Sequence, residues 1–542
     1  MIGVSAHPRD LGIAAEFFEL FKTAWEPVRP GRHYDAVLST DGRDDFHTDL
    51  LVLYGSATRI GDLMAPAAVR RGAQAQWNGF TIPLFGDVAL FAQGEGPPTV
   101  MEGESQYACG FTSNRVRGVG YNLFDEVRHL LTEGQPEAFA DVPTLELHIA
   151  LLRSFLIEAR IPFVEVLPRP NGCEFICCLT HDIDFFGIRR HLPFDRTIAG
   201  FVFRGALGSL LDVIRGRRSL HDAFQNLIAV CLLPFVQLGF VPDPWRPFDH
   251  YLEVEDPTRS TFFLVPFRDQ PGIGPDGSTD RHRAVRYQAT DVKDEAQAAA
   301  ERGSELAVHG IDAWRDAVAG RAERNQLASI VPGAAGVRMH WLYWSNESPG
   351  HLEAAGYTYD STWGYNDTIG YRAGTSQAFR LPGTTQLLEL PLTIMDSALL
   401  ASDRQALEPD HAVQLCRRLI AQARAWGGTL VINWHCRSLA PERLWRQPYV
   451  ALLADIAAAG ASFLTAGGAV DWFRWRRSIT LTASPESVVS VQAPTTAAVP
   501  AVIRVYEPVG EGQRRRDIPF DGRSPVVVAS HPNPFALCHT IA

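Results

Sequence analysis

The sequence predicts an α/β protein organised around a parallel sheet, open or closed into a barrel, and three observations predict it. From about residue 170 to 475, short apolar runs alternate with helix-patterned segments, and strand, helix, strand in repetition implies parallel strands joined by right-handed crossovers. Several of the helical segments end in a glycine, the residue expected just past a helix C-terminus. Residues able to do chemistry fall at or near the ends of these strands, the edge where parallel α/β architectures assemble their sites.

In chain order, residues 1–165 read as an α/β region of unassigned role. "DLLVLYG" and "TIPLFG" have the pattern of strands, and "YNLFDEVRHLL" and "TLELHIALLRSFLIEAR" that of amphipathic helices. "RGVGYN" has too few glycines for a phosphate-binding fingerprint. Residues 166–475 form the central domain. Its expected strands are "EFICCLT", "STFFLVP", "ELAVH", "GVRMHWLYW", "QLLELPLTI", "GTLVINWH" and "ASFLTA". Helices are expected at "DVKDEAQAAAERG", "SPGHLEAAG", "HAVQLCRRLIAQARAWG" and "PYVALLADIAAAG". An apolar insertion at about 199–241 is expected to be a buried helix or lid. Its longest run, "LIAVCLLPFVQLGFV", is shorter than the ~20 residues of a membrane helix. Upstream, "FVFRGALGSLLDVIRGRRSL" is amphipathic with a basic end, which leaves peripheral membrane contact through 201–241 as the alternative. Residues 476–542 change to short β-branched stretches between turn residues, a small β module that covers an edge of the central domain or binds carbohydrate.

Composition narrows the partners. The 542 residues are 46% apolar and 20% charged, with a formal charge of -11, which argues against nucleic acid as a main partner. Arg514, Arg515 and Arg516 make too short a basic run to change this and fit a solvated loop. The first residues lack a basic segment followed by a continuous apolar one, so a cytoplasmic protein is expected. Eight sparse cysteines, two of them adjacent at Cys177 and Cys178, suit buried thiols better than a disulfide framework.

The stretch that carries the chemistry is "LTHDID", residues 179–184, at the end of the apolar run "CEFICC". Side chains on a strand alternate, so Asp182 and Asp184 share one face and His181 takes the other. Two carboxylates on one face need a metal ion, an arginine or a shared proton to offset their repulsion. Taken alone, the pair is equally compatible with a helix cap or a turn after the strand. Downstream, His309, Arg338, His340 and His435 lie at or near later strand ends. A lone histidine is more often hydrogen-bonded in a core than a ligand, but two at strand ends after Asp-x-Asp shift the balance towards metal.

Over residues 173–466 this pattern resembles the polysaccharide deacetylase family, carbohydrate esterase family 4, and the resemblance implies a distorted (β/α) barrel. Thr180-His181-Asp182-Ile183-Asp184 is similar to the first family motif, Thr-Phe-Asp-Asp, with the second carboxylate displaced by one residue. The resemblance makes Asp182 the general base and Asp184 a metal ligand. "ELAVHGIDAWRD" resembles the His-(Ser/Thr)-x-x-His motif through His309, but Ala313 stands in the second position. "GVRMHWLYW" resembles the Arg-x-Pro motif, with Arg338 to orient the base and His340 in place of proline as a replacement ligand. Asp312 is the runner-up ligand.

Asp184, His309 and His340 would thus hold a divalent ion, Zn2+ first, with Co2+, Mn2+ or Ni2+ as alternatives. Asp360 and Trp363 in "GYTYDSTWGYND" resemble the Asp-x-x-Trp motif, which implies that Trp363 walls the acetyl pocket and that Asp360 helps to position the acid histidine. Tyr371 and Arg372 are expected further substrate contacts. His435 in "LVINWHCRSL" resembles the general acid. The implied activity is metal-dependent removal of an acetyl or similar acyl group from an N-acylated sugar. The alternatives are a non-catalytic carbohydrate-binding descendant, favoured by Ala313, and an amidase or deformylase acting on a lipid-linked amino sugar. A glycosidase ranks last, because its two carboxylates must flank a sugar bond.

Overall fold

In the computed structural model, residues 1–55, 66–91, 98–102, 105–191, 195–216, 218–483, 488–510 and 512–529 are described. The central sheet runs in the order Phe379–Arg380, Leu388–Glu389, Tyr359–Asp360, Gly336–Met339, Glu305–Gly310, Thr261–Leu264, Phe175–Ile183, Thr429–Asn433 and Ile394–Met395. All neighbours are parallel except Phe379–Arg380, which runs against Leu388–Glu389. Ala461–Phe463 adds a short parallel strand to the start of Phe175–Ile183. Among the described residues the two ends of this sheet do not pair. The parallel α/β architecture is therefore as expected; among the described residues the expected distorted barrel is a curled sheet that does not close into a full barrel.

Phe175–Ile183 is the axis of the domain, and all nine of its residues are buried. A strand covered on both faces reads as a continuous apolar run, which is why "FICCL" does not alternate. The expected helices form at Lys293–Glu301, Ser348–Ala355, Pro409–Trp426 and Arg446–Ala458. Helices at Pro247–Val254, Ala317–Ala328 and Ala466–Ser478 were not expected. "ERNQLA" and "VDWFRWRR" within the last two carry enough charge to mask the apolar period. The sheet and its helices enclose one large core.

The N-terminal region has a six-stranded sheet in the order Trp25–Pro27, Ile2–Ser5, Tyr34–Ser39, Thr48–Tyr54, Val116–Val119 and Gly110–Ser113, plus a four-stranded antiparallel sheet. Its helices Leu123–Thr132 and Thr144–Glu158 lie where the periodicity places them. Phe163–Pro170 pairs with Ala501–Val509, which pairs with Gly512–Phe520, so part of the C-terminal module covers the strand that leads into the central domain. That strand and the helix Ala466–Ser478 run across residues 165 and 475, so neither point is a free linker.

The insertion departs from its expectation of burial. Two helical runs, Arg196–Ile214 and Leu220–Gln237, lie side by side, and most of their outward apolar side chains face solvent. Hydrophobicity reports the wish for an apolar neighbour but not whether the same chain supplies one.

Candidate active site

The strand end at Asp182 is held by hydrogen bonds from two sides. Arg338, fully buried on the strand Gly336–Met339, donates from one amino group to Asp182 Oδ1 at 3.0 Å and to Thr180 Oγ1 at 2.8 Å. Its other donors go to the carbonyl and the hydroxyl of Ser361, each at 3.0 Å, and its guanidinium lies 4.4 Å from the Phe263 ring centroid. From the other side, Asn433 Nδ2 donates to Asp182 Oδ2 at 2.7 Å, while the Asp182 backbone N–H donates to Asn433 Oδ1 at 3.2 Å. Burial opposes ionisation of Asp182, but Arg338, then His309 and His435, outweigh it and hold the carboxyl below its usual range. Asp182 is a fixed, ionised carboxylate.

His435 carries the opposite setting. Its Nδ1 lies 2.6 Å from Asp396 Oδ1, and its backbone N–H donates to Asp396 Oδ2 at 2.8 Å. A carboxylate can only accept, so Nδ1 bears the proton and Nε2 is left for chemistry. Burial disfavours the imidazolium, but Asp396 first, with Asp184 and Asp182, raises its pKa to about 9. The Ser438 hydroxyl also donates to Asp396, and Tyr251 donates to the His435 carbonyl at 2.7 Å. One rim therefore holds an anionic base candidate and a cationic acid candidate at neutral pH.

The three expected ligands are drawn to the same rim. His309 Nδ1 is 3.1 Å from the Arg338 carbonyl, which can only accept, so its Nε2 is the free lone pair. His340 begins a tight turn directly after the strand, and its ring lies against His309 with centroids 4.8 Å apart. Burial comes first in lowering both imidazole pKa values, and neutral imidazole is the form that binds a metal. Asp184 Oδ1 accepts from Cys436 Sγ at 3.0 Å, and Asp184 shares the field of His435 and His309. Among the described residues, no three His, Cys, Asp or Glu side chains are gathered closely enough to hold an ion as they stand. The donor types nonetheless fit one: a carboxylate and two neutral imidazoles, one with its other nitrogen fixed by a carbonyl.

Asp312 is turned elsewhere, accepting from the Ile273 N–H at 3.0 Å and from Arg315 Nε at 3.1 Å. Ala313 is fully buried, and a Cβ placed on Gly320 would stand 3.1 Å from its own Cβ. A histidine at 313 has no room beneath that helix, which is a physical reason for the departure from the motif. His181 points into the core as expected, stacked on Tyr251 with centroids 3.7 Å apart. Its Nδ1 donates to the Trp434 carbonyl at 2.8 Å, and its Nε2 is 2.9 Å from Glu255 Oε1, at an angle outside hydrogen-bond geometry.

The four expected substrate contacts are not on this rim. Asp360 accepts from Thr362 and forms a buried pair with Glu389; burial first raises both carboxyls, Asp360 raises Glu389 further, and the hydrogen bond between them lowers Asp360, so Glu389 holds the proton of the pair. The carboxylate that positions His435 is Asp396, not Asp360. Trp363 packs with Trp344 at 4.8 Å and belongs to the core of the N-terminal region rather than to an acetyl pocket. Tyr371 is buried, its backbone N–H donating to the Ala140 carbonyl, and Arg372 accepts through its carbonyl from Gln135 N–H. A short motif does not reveal which side of a loop each side chain takes, and here Trp363, Tyr371 and Arg372 tie the central domain to the N-terminal one.

Beside the rim opens a cavity of about 600 Å3 lined by Asp184 and His340 and, further out, by Phe185, Tyr287, Trp341 and Arg437. Trp341 is 39% exposed and sits at φ 64°, a left-handed setting that bulky residues adopt only where surrounding structure imposes it. Sequence reasoning missed Asp396, Asn433, Cys436 and Trp341. Only the last two had a signal, each being adjacent to a motif histidine.

No protein-family model matches the chain, and no curated protein matches it. Solved structures do. One from Mycobacterium smegmatis, classed as a polysaccharide deacetylase, is 18% identical over 58% of this chain and 95% of its own, with a TM-score of 0.35. The carbohydrate deacetylase Agd3 is 8% identical over 97% of this chain and 99% of its own, TM-score 0.36. A protein from Bordetella bronchiseptica, classed as a polysaccharide deacetylase involved in O-antigen biosynthesis, is 13% identical over 52% and 93%, TM-score 0.25. The chain is similar to these deacetylases.

Proposed function

We propose that the protein hydrolyses an amide on an acylated amino sugar, removing acetyl first among acyl groups. The observation that carries this is the opposed protonation of two side chains on one rim: Asp182 held anionic by Arg338, His435 held cationic by Asp396. Hydrolysis of an amide needs both, because water must lose a proton to attack and the amine must gain one to leave. Asp182 takes the proton of the attacking water as its oxygen bonds to the acyl carbon. The carbon–nitrogen bond then breaks, and His435 Nε2 gives its proton to the departing amine. Arg338 and Asn433 keep Asp182 aimed throughout. Asp184, His309 and His340 would hold the divalent ion, Zn2+ or one of Co2+, Mn2+ and Ni2+, which when bound supplies polarisation of the carbonyl and acidification of water. Trp341 offers an exposed aromatic face of the kind that sugars stack on.

Chelation is expected to abolish amine release from an N-acetylated hexosamine oligomer, and added Zn2+ to restore it. The double variant His309→Ala, His340→Ala is expected to lose the ion by elemental analysis. An active chain with no ion would overturn the ligand set. A chain that binds the oligomer with ion present and releases no amine would favour the binding-module reading, which Ala313 supports.

A further inference from the structure

The insertion beside the cleft is built as a docking element. Its first helical run, Arg196–Ile214, is long and apolar enough to cross a membrane by length and composition, yet only 22% of its apolar window is buried. The second, Leu220–Gln237, buries a single stripe of Asn226, Ala229, Leu233 and Val236, and nearly everything around that stripe faces solvent. Fourteen of the twenty-two exposed large apolar side chains among the described residues fall between 202 and 240, including Phe203 at 58%, Ile214 at 73%, Leu220 at 76% and Phe240 at 77%. That concentration is far from the scattered single residues of an ordinary surface.

The pair is not a frayed segment. The helices close tightly where a Cβ on Gly205 would come within 2.8 Å of Val230. Asn226 donates to Ser209 at 2.8 Å and accepts from the Glu442 N–H at 2.7 Å, while Phe201 packs edge-on against Trp245 at 4.5 Å. At the end of the second helix Arg189 donates to the Val236 carbonyl at 2.7 Å, and just before its start Arg218 donates to the Glu442 carbonyl at 2.9 Å. The pair is thus fastened to the central domain at several points and presents its free face outward.

Charge names the occupant. The chain carries -11 overall, whereas residues 196–240 hold five arginines against two aspartates and no lysine or glutamate. Arg196, Arg204 and Arg215 are exposed on or beside the apolar face. An apolar helical face edged by arginine on an otherwise acidic protein is complementary to anionic headgroups over acyl chains, whereas a second copy docked through the same face would set arginine against arginine. We infer that residues 196–240 seat the protein in the plane of an anionic lipid bilayer. Asp195, Arg196 and Thr197 line the same cavity as Asp184 and His340, so docking would hold the cavity mouth at the lipid surface, where a substrate anchored in the membrane would arrive. This inference stands on the helices and does not depend on the chemistry assigned to the rim.

The test is flotation of the full chain with vesicles of equimolar phosphatidylglycerol and phosphatidylcholine, beside vesicles of phosphatidylcholine alone. The chain is expected to float with the anionic vesicles, more weakly with the neutral ones, and less at high salt. Phe203→Glu with Phe240→Glu is expected to weaken flotation by about ten-fold or more, because each places a charge on the face proposed to enter the lipid. Both positions are exposed, so an unchanged circular dichroism spectrum and unfolding midpoint show that the fold is kept. Arg215→Ser is expected to reduce the preference for anionic vesicles while sparing neutral ones. Flotation unaltered by the double substitution would overturn the inference. So would a chain that stays unbound and is a dimer by light scattering, reduced to monomer by the same substitutions.

Discussion

Asp396→Asn is expected to move the alkaline limb of kcat to lower pH and to reduce kcat by roughly 10²- to 10⁴-fold, the range set by loss of a positioned acid. The sign follows from the charges around His435. Burial alone would lower its pKa; the Asp396 carboxylate is the largest influence in the other direction, and with it the imidazolium persists to about pH 9. Asparagine keeps an oxygen able to accept from Nδ1 but removes the negative charge. The folded-state pKa therefore falls, and the protonated acid is lost earlier as pH rises. A pH profile of kcat separates this from simple damage, since misfolding would lower the whole curve without moving its limb. His435→Ala should show the loss of rate and no such alkaline limb, since the group whose deprotonation sets it is gone. A limb unmoved in Asp396→Asn would remove His435 from the role of acid.

Arg338→Met is expected to cost about 3–5 kcal/mol of stability and to leave no measurable turnover, because it strands a buried carboxylate. Among the described residues Arg338 supplies Asp182 with its only guanidinium hydrogen bond, and it simultaneously holds Thr180 and both acceptors of Ser361. Methionine fills much of the volume but donates nothing, so Asp182 keeps Asn433 alone and gains a proton. Urea denaturation measures the first effect. The pair Arg338→Met with Asp182→Leu should recover much of the stability, since removing both charges also removes the unpaired one, while activity stays absent. Stability unchanged by Arg338→Met would contradict the central place given to this ion pair.

What the sequence disclosed and what it hid divide along physical lines. The parallel sheet was legible because its strands are apolar runs between helical periods, and Asp182, Asp184, His309, Arg338, His340 and His435 were legible because each sits at or just past the end of such a run. The structure brings all six to one rim. Asp396 was not legible: it opens a five-residue helix after a two-residue strand, too short for any period to announce. Asn433 was hidden inside an apolar strand, where a lone amide reads as an interruption. Asp360 and Trp363 were found as a motif, Tyr371 and Arg372 beside it, and all four were misplaced, since local spacing cannot say that Asp360 pairs with Glu389 or that Trp363 joins the core of the N-terminal region. The openness of the sheet was likewise unreadable, because closure depends on the length of the terminal strands rather than on their composition.

The proposed reaction needs Asp182 and His435 to act on one amide from one rim. Its most direct test is the release of acetate from an N-acetylated hexosamine oligomer by the native chain, Asp182→Asn and His435→Ala, each at the same metal loading. Release by the native chain, with both variants at background and still loaded, is the predicted result. Release by either variant at the native rate would contradict the account.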